Sequence, residues 1–257
     1  MGRRYRPPVP FLHALAIFAA GIAAGTINAV VGSGTLITFP VLLSFGYSPV
    51  VANVSNTIGL VPGNASGAFG YRRELAGQRE RAMRLAALSL VGGVIGAVLL
   101  LSLPGSAFKA IVPAFIVIAL VLILLQPKLA SALSSRRPEG RVHAGPLAML
   151  GVFASGIYGG YFGAAQGIMV LAILGLSLDE DLQRINAVKV VVVGLVNLVS
   201  GIIFAFAAHV AWDAVLLIAG GSILGGIIGS HWGRRLPAPV LRVVIVAVGI
   251  VAIVRLL

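Results

Sequence analysis

The chain has 257 residues, of which 59% are hydrophobic and only 10% are charged, and its formal net charge is +12. Soluble domains carry about 25% charged residues, so this composition excludes a water-soluble globular domain and indicates an integral membrane protein. The arginines cluster beside apolar runs, where they set membrane topology, and nucleic-acid binding is therefore disfavoured.

All seven carboxylates lie between apolar runs, and none lies deep within one. Carriers of cations and protons usually place a carboxylate inside the membrane, so a metal-cation exchanger is disfavoured. The chain has no cysteine, which excludes thiolate metal sites, and its four histidines show no metal-ligand spacing. The sequence predicts no metal site and no cofactor.

The first apolar stretch, Leu12 to Phe45, is longer than the roughly 20 residues that one membrane crossing needs. It must bend or break, and the Gly-Ser-Gly run at 32–34, with Pro40 beyond it, marks the place. We predict two helical pieces at about 11–31 and 35–46. The stretch also exceeds the apolar region of a signal peptide, so we interpret it as a retained membrane segment.

The remaining apolar runs predict an all-α polytopic protein with about eight transmembrane helices in addition to broken or re-entrant segments. The predicted runs are helices at about 49–70, 85–103 and 108–126, a long uncharged stretch at 146–178, and helices at about 186–208, 214–232 and 239–256. The expected organisation is a first repeat at 1–126, a polar basic linker at 127–145 and a second repeat at 146–257.

The two halves match each other at a fixed offset, which indicates an internal duplication. Residues 133 positions apart correspond in the pairs Asn53 and Asn186, Asn64 and Asn197, Gly92 and Gly225, Gly96 and Gly229, and Pro104 and Pro237; in the first stretch the offset is 131, as in Gly25 and Gly156 or Gly32 and Gly163. Broken helices at equivalent places in two repeats are typical of secondary transporters. Counting Lys and Arg on each side gives a tie between parallel and inverted halves. We favour inverted halves, because the basic loop 72–84 corresponds to the arginine-free 205–217, whereas the amino-terminal arginines favour the parallel arrangement.

The two predicted breaks are candidate anion sites. Broken backbone inside a membrane frees N–H groups, and the amino-terminal end of the following half-helix carries partial positive charge. The first break offers Ser33, Gly34 and Thr35, and the second offers Gln166 and Gly167. The alternative interpretation is close helix packing at small residues, which needs no ligand.

Polar side chains in the neighbouring helices complete the candidate site. Lys189 lies inside an apolar run, where a lysine is costly, so it either binds an anion or extends along its helix to the interface. Asn53, Asn56 and Asn186 can bind a solute or join helices. Tyr158, beside the second break, offers a hydroxyl or a packing contact.

Three segments of the sequence resemble a known family. They are Gly25 to Pro40 (GTINAVVGSGTLITFP), its weaker copy Gly156 to Gly167 (GIYGGYFGAAQG), and the helix with Gly225, Gly226 and Gly229 that is followed by Arg-Arg-Leu at 234–236. The pattern resembles the TauE/SafE sulfite-exporter family of membrane permeases over nearly the whole chain. The resemblance implies about eight membrane helices in two related halves and transport of sulfite, organosulfonates or related sulfur-containing organic anions.

The sequence therefore predicts a permease that moves a small anion by alternating access between two repeats. An anion channel and a non-transporting membrane scaffold remain as alternatives. An intramembrane serine protease is disfavoured because Asn64-Ala65-Ser66-Gly67 lacks the first glycine of a nucleophile turn and no mid-helix histidine is present. The expected partners are a small anion and the lipid bilayer, a homo-oligomer stays open, and the expected location is a bacterial-type inner membrane.

Overall fold

The structure of the chain is a computed structural model that describes residues 10–135, 144–233, 243, 245–250 and 253–254. Within these residues the protein is helical and contains no strand. The helices are α1 (Phe11–Val30), α2 (Thr35–Ser44), α3 (Pro49–Gly70), α4 (Arg72–Leu75), α5 (Arg79–Ser102), α6 (Gly105–Ser135), α7 (Pro146–Tyr161), α8 (Gln166–Ser177), α9 (Leu182–Ala207) and α10 (Trp212–Trp232).

The first apolar stretch is broken where the glycines predict. The chain leaves α1 after Val30 and starts α2 at Thr35, and Gly32 between them has a φ of 87°, a conformation that glycine adopts readily. The His13 ring near the start of α1 stacks on Phe45 at 4.1 Å between ring centroids, so α2 folds back beside α1. Pro40 does not take part in the break, because it lies inside α2.

The second long stretch repeats this hairpin. α7 ends at Tyr161 and α8 begins at Gln166, as the run of small residues predicts. Gly163 has a φ of 75° and Ala165 a φ of 60°, which is unusual for a residue with a side chain. The side chain of Ile173 lies next to Gly151, so α8 returns along α7.

Three of the other helices have bounds that differ from the prediction by four residues or more: α5, α6 and α9, of which α9 begins at Leu182 rather than near 186. α3 spans the predicted 49–70, but α5 begins at Arg79 rather than near 85, because the arginine-rich segment continues the helix beyond the apolar run. α6 continues through Pro127 to Ser135, past the predicted end at 126. The Arg-Arg-Leu motif at 234–236 lies outside the described residues. Within the predicted helix at 239–256, the described residues 243, 245–250 and 253–254 are helical.

The described part of the chain contains five helices that are long and apolar enough to cross a membrane: α1, α5, α6, α9 and α10. α2 and α8 are shorter apolar helices, and α3 carries buried polar side chains along its length. Large apolar side chains such as Leu124, Phe206 and Leu216 are exposed on the outer surface, where lipid would cover them. The chain is a multi-pass α-helical membrane protein.

Glycine contacts hold two helix pairs together. Gly25 of α1 lies against the backbone of Ser222 in α10, and Gly156 of α7 lies against the backbone of Ser89 in α5. A Cβ on Gly156 would stand 2.9 Å from the Cα of Ser89, so only glycine permits this approach.

The contacts also give the direction of each helix. The contacts between α1 and α10 advance in the same direction along both helices, from Gly21 with Ile218 to Thr26 with Gly229, so the two helices are parallel. α3 is parallel to α10 and α7 is parallel to α5 by the same criterion. α3 and α9 run in opposite directions, because Ile58 meets Gly201 whereas Gly67 meets Val190.

We expect Gly156→Ala to destabilise the protein by about 1–3 kcal/mol, because the added methyl group overpacks the contact with α5. Thermal unfolding of the purified protein in detergent measures the effect. Gly145→Ala is the matched control, since a Cβ there meets nothing within 4 Å and φ is an ordinary −69°. Equal unfolding temperatures for the two variants would contradict the assigned contact.

Candidate functional site

The two helix breaks meet each other inside the protein. The N–H of Gly167 donates a hydrogen bond to the carbonyl oxygen of Gly32 at 3.1 Å. A Cβ on either glycine would lie 2.5 Å from the Cα of the other, so the two backbones are in direct contact. We call this region, residues 31–35 and 162–167, the crossing.

Lys189 lies beside the crossing and points inward. Its side chain is 0% exposed, and Nζ donates to the carbonyl oxygens of Asn28 at 3.1 Å and Ala29 at 3.3 Å. These carbonyls belong to the last turn of α1, where helix partners run out and partial negative charge accumulates. The interpretation in which Lys189 extends to the interface is wrong, because the ammonium group is held by the end of α1.

Two asparagines connect each half of the chain to the broken helix of the other half. Nδ2 of Asn186 donates to the Ala29 carbonyl at 3.2 Å, and Nδ2 of Asn53 donates to the Tyr161 carbonyl at 3.0 Å. A backbone carbonyl can only accept, so the amide nitrogen must face it and the amide oxygen must point elsewhere. Both Oδ1 atoms are buried and have no hydrogen-bond partner within the protein.

Asn56 and Thr35 are bonded to each other on the amino-terminal side of α2. Nδ2 of Asn56 donates to Oγ1 of Thr35 at 3.2 Å, and Oγ1 of Thr38 donates to Oδ1 of Asn56. The N–H of Gly34 donates to Oδ1 of Asn28 at 3.4 Å. These bonds fix the start of α2 against α3 and the end of α1.

Several buried polar atoms around the crossing lack a partner within the protein. Gln166 is 0% exposed and Ser33 is 1% exposed. The atoms concerned are Oγ of Ser33, both amide atoms of Gln166, the hydroxyl of Tyr161, and Oδ1 of Asn53 and Asn186. Each such group costs about 1–3 kcal/mol when it is left without a hydrogen bond. Their concentration at one place therefore indicates a position for water or ligand.

The structure adds residues that the sequence prediction did not select. Asn28 donates to Oδ1 of Asn64 while its own Oδ1 accepts from Gly34, and Thr38 bonds Asn56. A signal for Asn28 was available, since it is a polar residue directly before the break in an apolar run. Tyr158 stabilises the second break, because its hydroxyl donates to the Ala164 carbonyl at 2.6 Å.

Two cavities approach this region. One of about 160 Å³ is lined by residues of both halves, among them Val30, Tyr71, Gln183 and Asn186, and it reaches the end of α1. The other cavity, of about 450 Å³, lies between α5, α6 and α7. Its lining is almost entirely apolar and includes Tyr158 and Tyr161. The smaller cavity therefore lies at the carboxyl ends of α1 and α3 and includes Asn186 in its lining.

Side-chain bonds link the two halves at both ends of the bundle. Beyond the carboxyl end of α3, Arg81 pairs with Glu180 at 2.9 Å, and Arg184 pairs with the same carboxylate at 2.8 Å. Before the start of α3, the hydroxyl of Tyr47 donates to Asp213 at 3.2 Å. One end is therefore joined by a partly buried ion-pair cluster and the other by an exposed hydrogen bond.

The ion-pair cluster shifts the ionisation of Glu180. Partial burial by itself raises its pKa, but the hydrogen bond from Arg81 and the charge of Arg184 outweigh the burial, so the pKa of Glu180 lies below its ordinary value.

In the described part of the chain, no three His, Asp or Glu side chains lie close enough together to hold a metal ion.

Broken helices that meet around a buried lysine, in a multi-pass helical protein, are features of membrane transporters. Residues 17–256 match the family described as Sulfite exporter TauE/SafE, and the chain belongs to this family.

Three relatives agree with this family. The chain is 30% identical to "Probable membrane transporter protein ORF9" of Sinorhizobium sp, over 95% of this chain and 93% of the relative. It is 26% identical to "Probable membrane transporter protein YfcA" of Escherichia coli K12, over 89% and 85% of the two chains. It is 30% identical to a "Probable membrane transporter protein" of Haemophilus influenzae, over 83% and 82%. No solved structure matches the chain.

We expect Glu180→Gln to lower the unfolding temperature at pH 7 by about 2–4 °C, the shift for roughly 1 kcal/mol at this size. Because the pKa of Glu180 is depressed in the folded protein, its contribution is present above the ordinary carboxyl pKa of about 4.3 and is lost as the pH falls through the folded pKa. The difference in unfolding temperature between wild type and variant should therefore become smaller below about pH 4.5.

Thermal unfolding across a pH series in detergent checks this prediction, with Glu80→Gln as the matched control. Glu80 pairs with Arg84 on the surface, where both side chains are more than half exposed, so its variant should behave like wild type. A gap that stays constant down to pH 3 would contradict the assigned ion pair.

Proposed function

We propose that this protein is a secondary permease for a small anion, such as sulfite, an organosulfonate or a related sulfur-containing organic anion. The carrying observation is electrostatic: Lys189 is the only Asp, Glu, Lys or Arg side chain in the buried set of the described residues, and it lies beside the crossing. An anion that enters this region lowers the cost of burying the ammonium group.

The proposed anion position lies at the amino-terminal ends of α2 and α8. These ends carry partial positive charge, and unpartnered donors lie close to them: the hydroxyl of Ser33 and the amide nitrogen of Gln166. Gly34 and Thr35 belong to the first end, and Asn56 holds them in place. The N–H of Gly167 is bonded to Gly32, so Gly167 contributes close backbone approach rather than a donor.

We also propose that the halves are inverted repeats, 1–126 and 146–257, joined by the linker 127–145, with about eight membrane crossings. The support is a set of paired contacts: Gly25 with Ser222 corresponds to Gly156 with Ser89 when the halves are exchanged. α3 and α9, which are equivalent in the alignment, run in opposite directions. An inverted arrangement accounts for both observations.

Inverted repeats provide a mechanism of alternating access, in which the two halves rock around a fixed central site. Glycine contacts join α1 and α3 to α10 and join α5 to α7, so the bodies that would move are two helix bundles that each contain helices of both halves. The cavity at Asn186 would lead from the basic end of the bundle toward the crossing. Positive side chains at that end favour the approach of an anion.

The proposed setting is a bacterial-type inner membrane, with the lipid bilayer and a small anion as partners and no nucleic acid. The family description names sulfite export, and the relatives are named as membrane transporters. These names support transport and the sulfur-anion class, while a homo-oligomer remains compatible with the proposal. The proposed role is transport rather than catalysis.

We expect Gln166→Met to reduce uptake of radiolabelled sulfite by at least about 10-fold without lowering stability. The amide of Gln166 has no partner within the protein, so replacing it by an apolar side chain of similar volume removes no internal hydrogen bond. Uptake into proteoliposomes and thermal unfolding in detergent measure the two effects. Gln126→Met on α6, outside the crossing, is the matched control.

Wild-type rates in Gln166→Met would contradict the proposed anion position. Counterflow and saturation of uptake test the transport mechanism, because a channel shows neither. Flux that rises linearly with sulfite concentration and without counterflow would replace the permease by an anion channel, and flux no greater than in empty liposomes for every anion tried would favour a scaffold.

A further inference from the structure

The carboxyl ends of α1 and α7 are equivalent positions in the two halves, but their surroundings differ in charge. At the end of α1, the carbonyls of Asn28 and Ala29 are held by the ammonium group of Lys189. The residue 133 positions before Lys189 is Asn56, which bonds Thr35 and Thr38 of its own half instead. The broken helix α1 therefore has a cation tethered at its negative end, whereas the residue equivalent to Lys189 is neutral and bonds α2 rather than α7.

The end of α7 carries the same partial negative charge. The N–H groups of Phe162 and Gly163 both turn back to the carbonyl of Tyr158, at 2.9 and 3.1 Å. In a continued helix the N–H of Gly163 would bond to the carbonyl of Gly159. The Gly159 carbonyl oxygen still lies near Gly163, because a Cβ added to Gly163 would stand 3.0 Å from it. The last turn of α7 thus ends with oxygen atoms that helix geometry does not satisfy.

Two buried side-chain oxygens lie at the same helix end. Asn53 is 0% exposed and is fixed there by its bond to the Tyr161 carbonyl, while its Oδ1 has no partner within the protein. Gln166 is also 0% exposed, its amide packs directly against Gly159, and its Oε1 has no partner within the protein. Unlike the helix end itself, these oxygens are specific evidence for a missing donor or cation.

We propose that the carboxyl end of α7 binds a small monovalent cation such as Na⁺, through Oδ1 of Asn53, Oε1 of Gln166 and the terminal carbonyls of α7. Carbonyl and amide oxygens are hard ligands that suit such ions. Divalent cations generally require carboxylates, and the buried set of the described residues contains none. Lys189 is the covalently attached counterpart of this cation in the other half.

This site gives the proposed permease a coupling ion. Gln166 offers Oε1 toward the cation and Nε2 toward the anion, so occupation of one position orients the amide for the other. Cation binding as such is independent of the transport proposal, whereas its use in coupling rests on that proposal.

The test is thermal unfolding of the full purified chain in detergent, titrated with NaCl against choline chloride at constant ionic strength. A ligand that binds only the folded state raises the unfolding temperature in a saturable way. We expect Na⁺ to raise it by several degrees over choline in wild type and to have no such effect in Asn53→Ala. Asn186→Ala is the matched control, since it changes the equivalent asparagine at the helix end that Lys189 occupies, and it should keep the Na⁺ response.

If Asn53→Ala does not fold, Gln166→Met serves as the second variant, with an expected rise of at least about 10-fold in the half-saturating Na⁺ concentration. Equal unfolding temperatures in Na⁺ and choline for wild type would overturn the site. So would an unchanged Na⁺ response in Asn53→Ala, or an equal loss in Asn186→Ala.

The same preparations separate this inference from the proposed function. Sulfite uptake into proteoliposomes with no stabilisation by Na⁺ would overturn the cation site and leave the permease intact. Stabilisation by Na⁺ with no uptake of any anion would support the site and contradict the permease.

Discussion

Direct contact between two helix breaks is the constraint on which the rest of the structure depends. Gly32 and Gly167 touch through their backbones, and one hydrogen bond joins them. Four half-helix ends are thereby brought together in an apolar interior, where backbone groups without partners are expensive. Buried polar side chains of α3 and α9, among them Asn53, Asn56, Asn186 and Lys189, bond to these ends.

The helix ends differ in polarity, and the side chains differ with them. The carbonyl ends of α1 and α7 receive donors: Lys189 and Asn186 at α1, and Asn53 at α7. The amino ends of α2 and α8 lie beside Ser33 and Gln166, whose polar atoms are left without protein partners. Opposite partial charges in one small volume are suited to holding an anion and a cation close together, which connects the proposed permease with the proposed cation site.

The asymmetry between the halves is concentrated in a few residues. Lys189 corresponds to the amide of Asn56, and an ion-pair cluster at Glu180 lies at one end of the bundle, whereas Tyr47 donates a hydrogen bond to Asp213 at the other end. One glycine contact has a counterpart, since Gly25 lies against Ser222 and Gly156 lies against Ser89. In the proposed inverted repeat, these residues are the places where the two halves differ in charge.

The sequence by itself determined the membrane class, the bounds of α3 and the place of both helix breaks, because hydrophobicity and glycine conformation act over short distances along the chain. Arginine counts left the direction of the halves open, and the position of Lys189 five residues beyond Arg184 was compatible with either orientation of its side chain. Only the tertiary structure decided that Lys189 reaches Asn28, 161 residues away, and that Asn53 reaches Tyr161, 108 residues away. Such pairs depend on how distant helices pack, which local sequence does not encode.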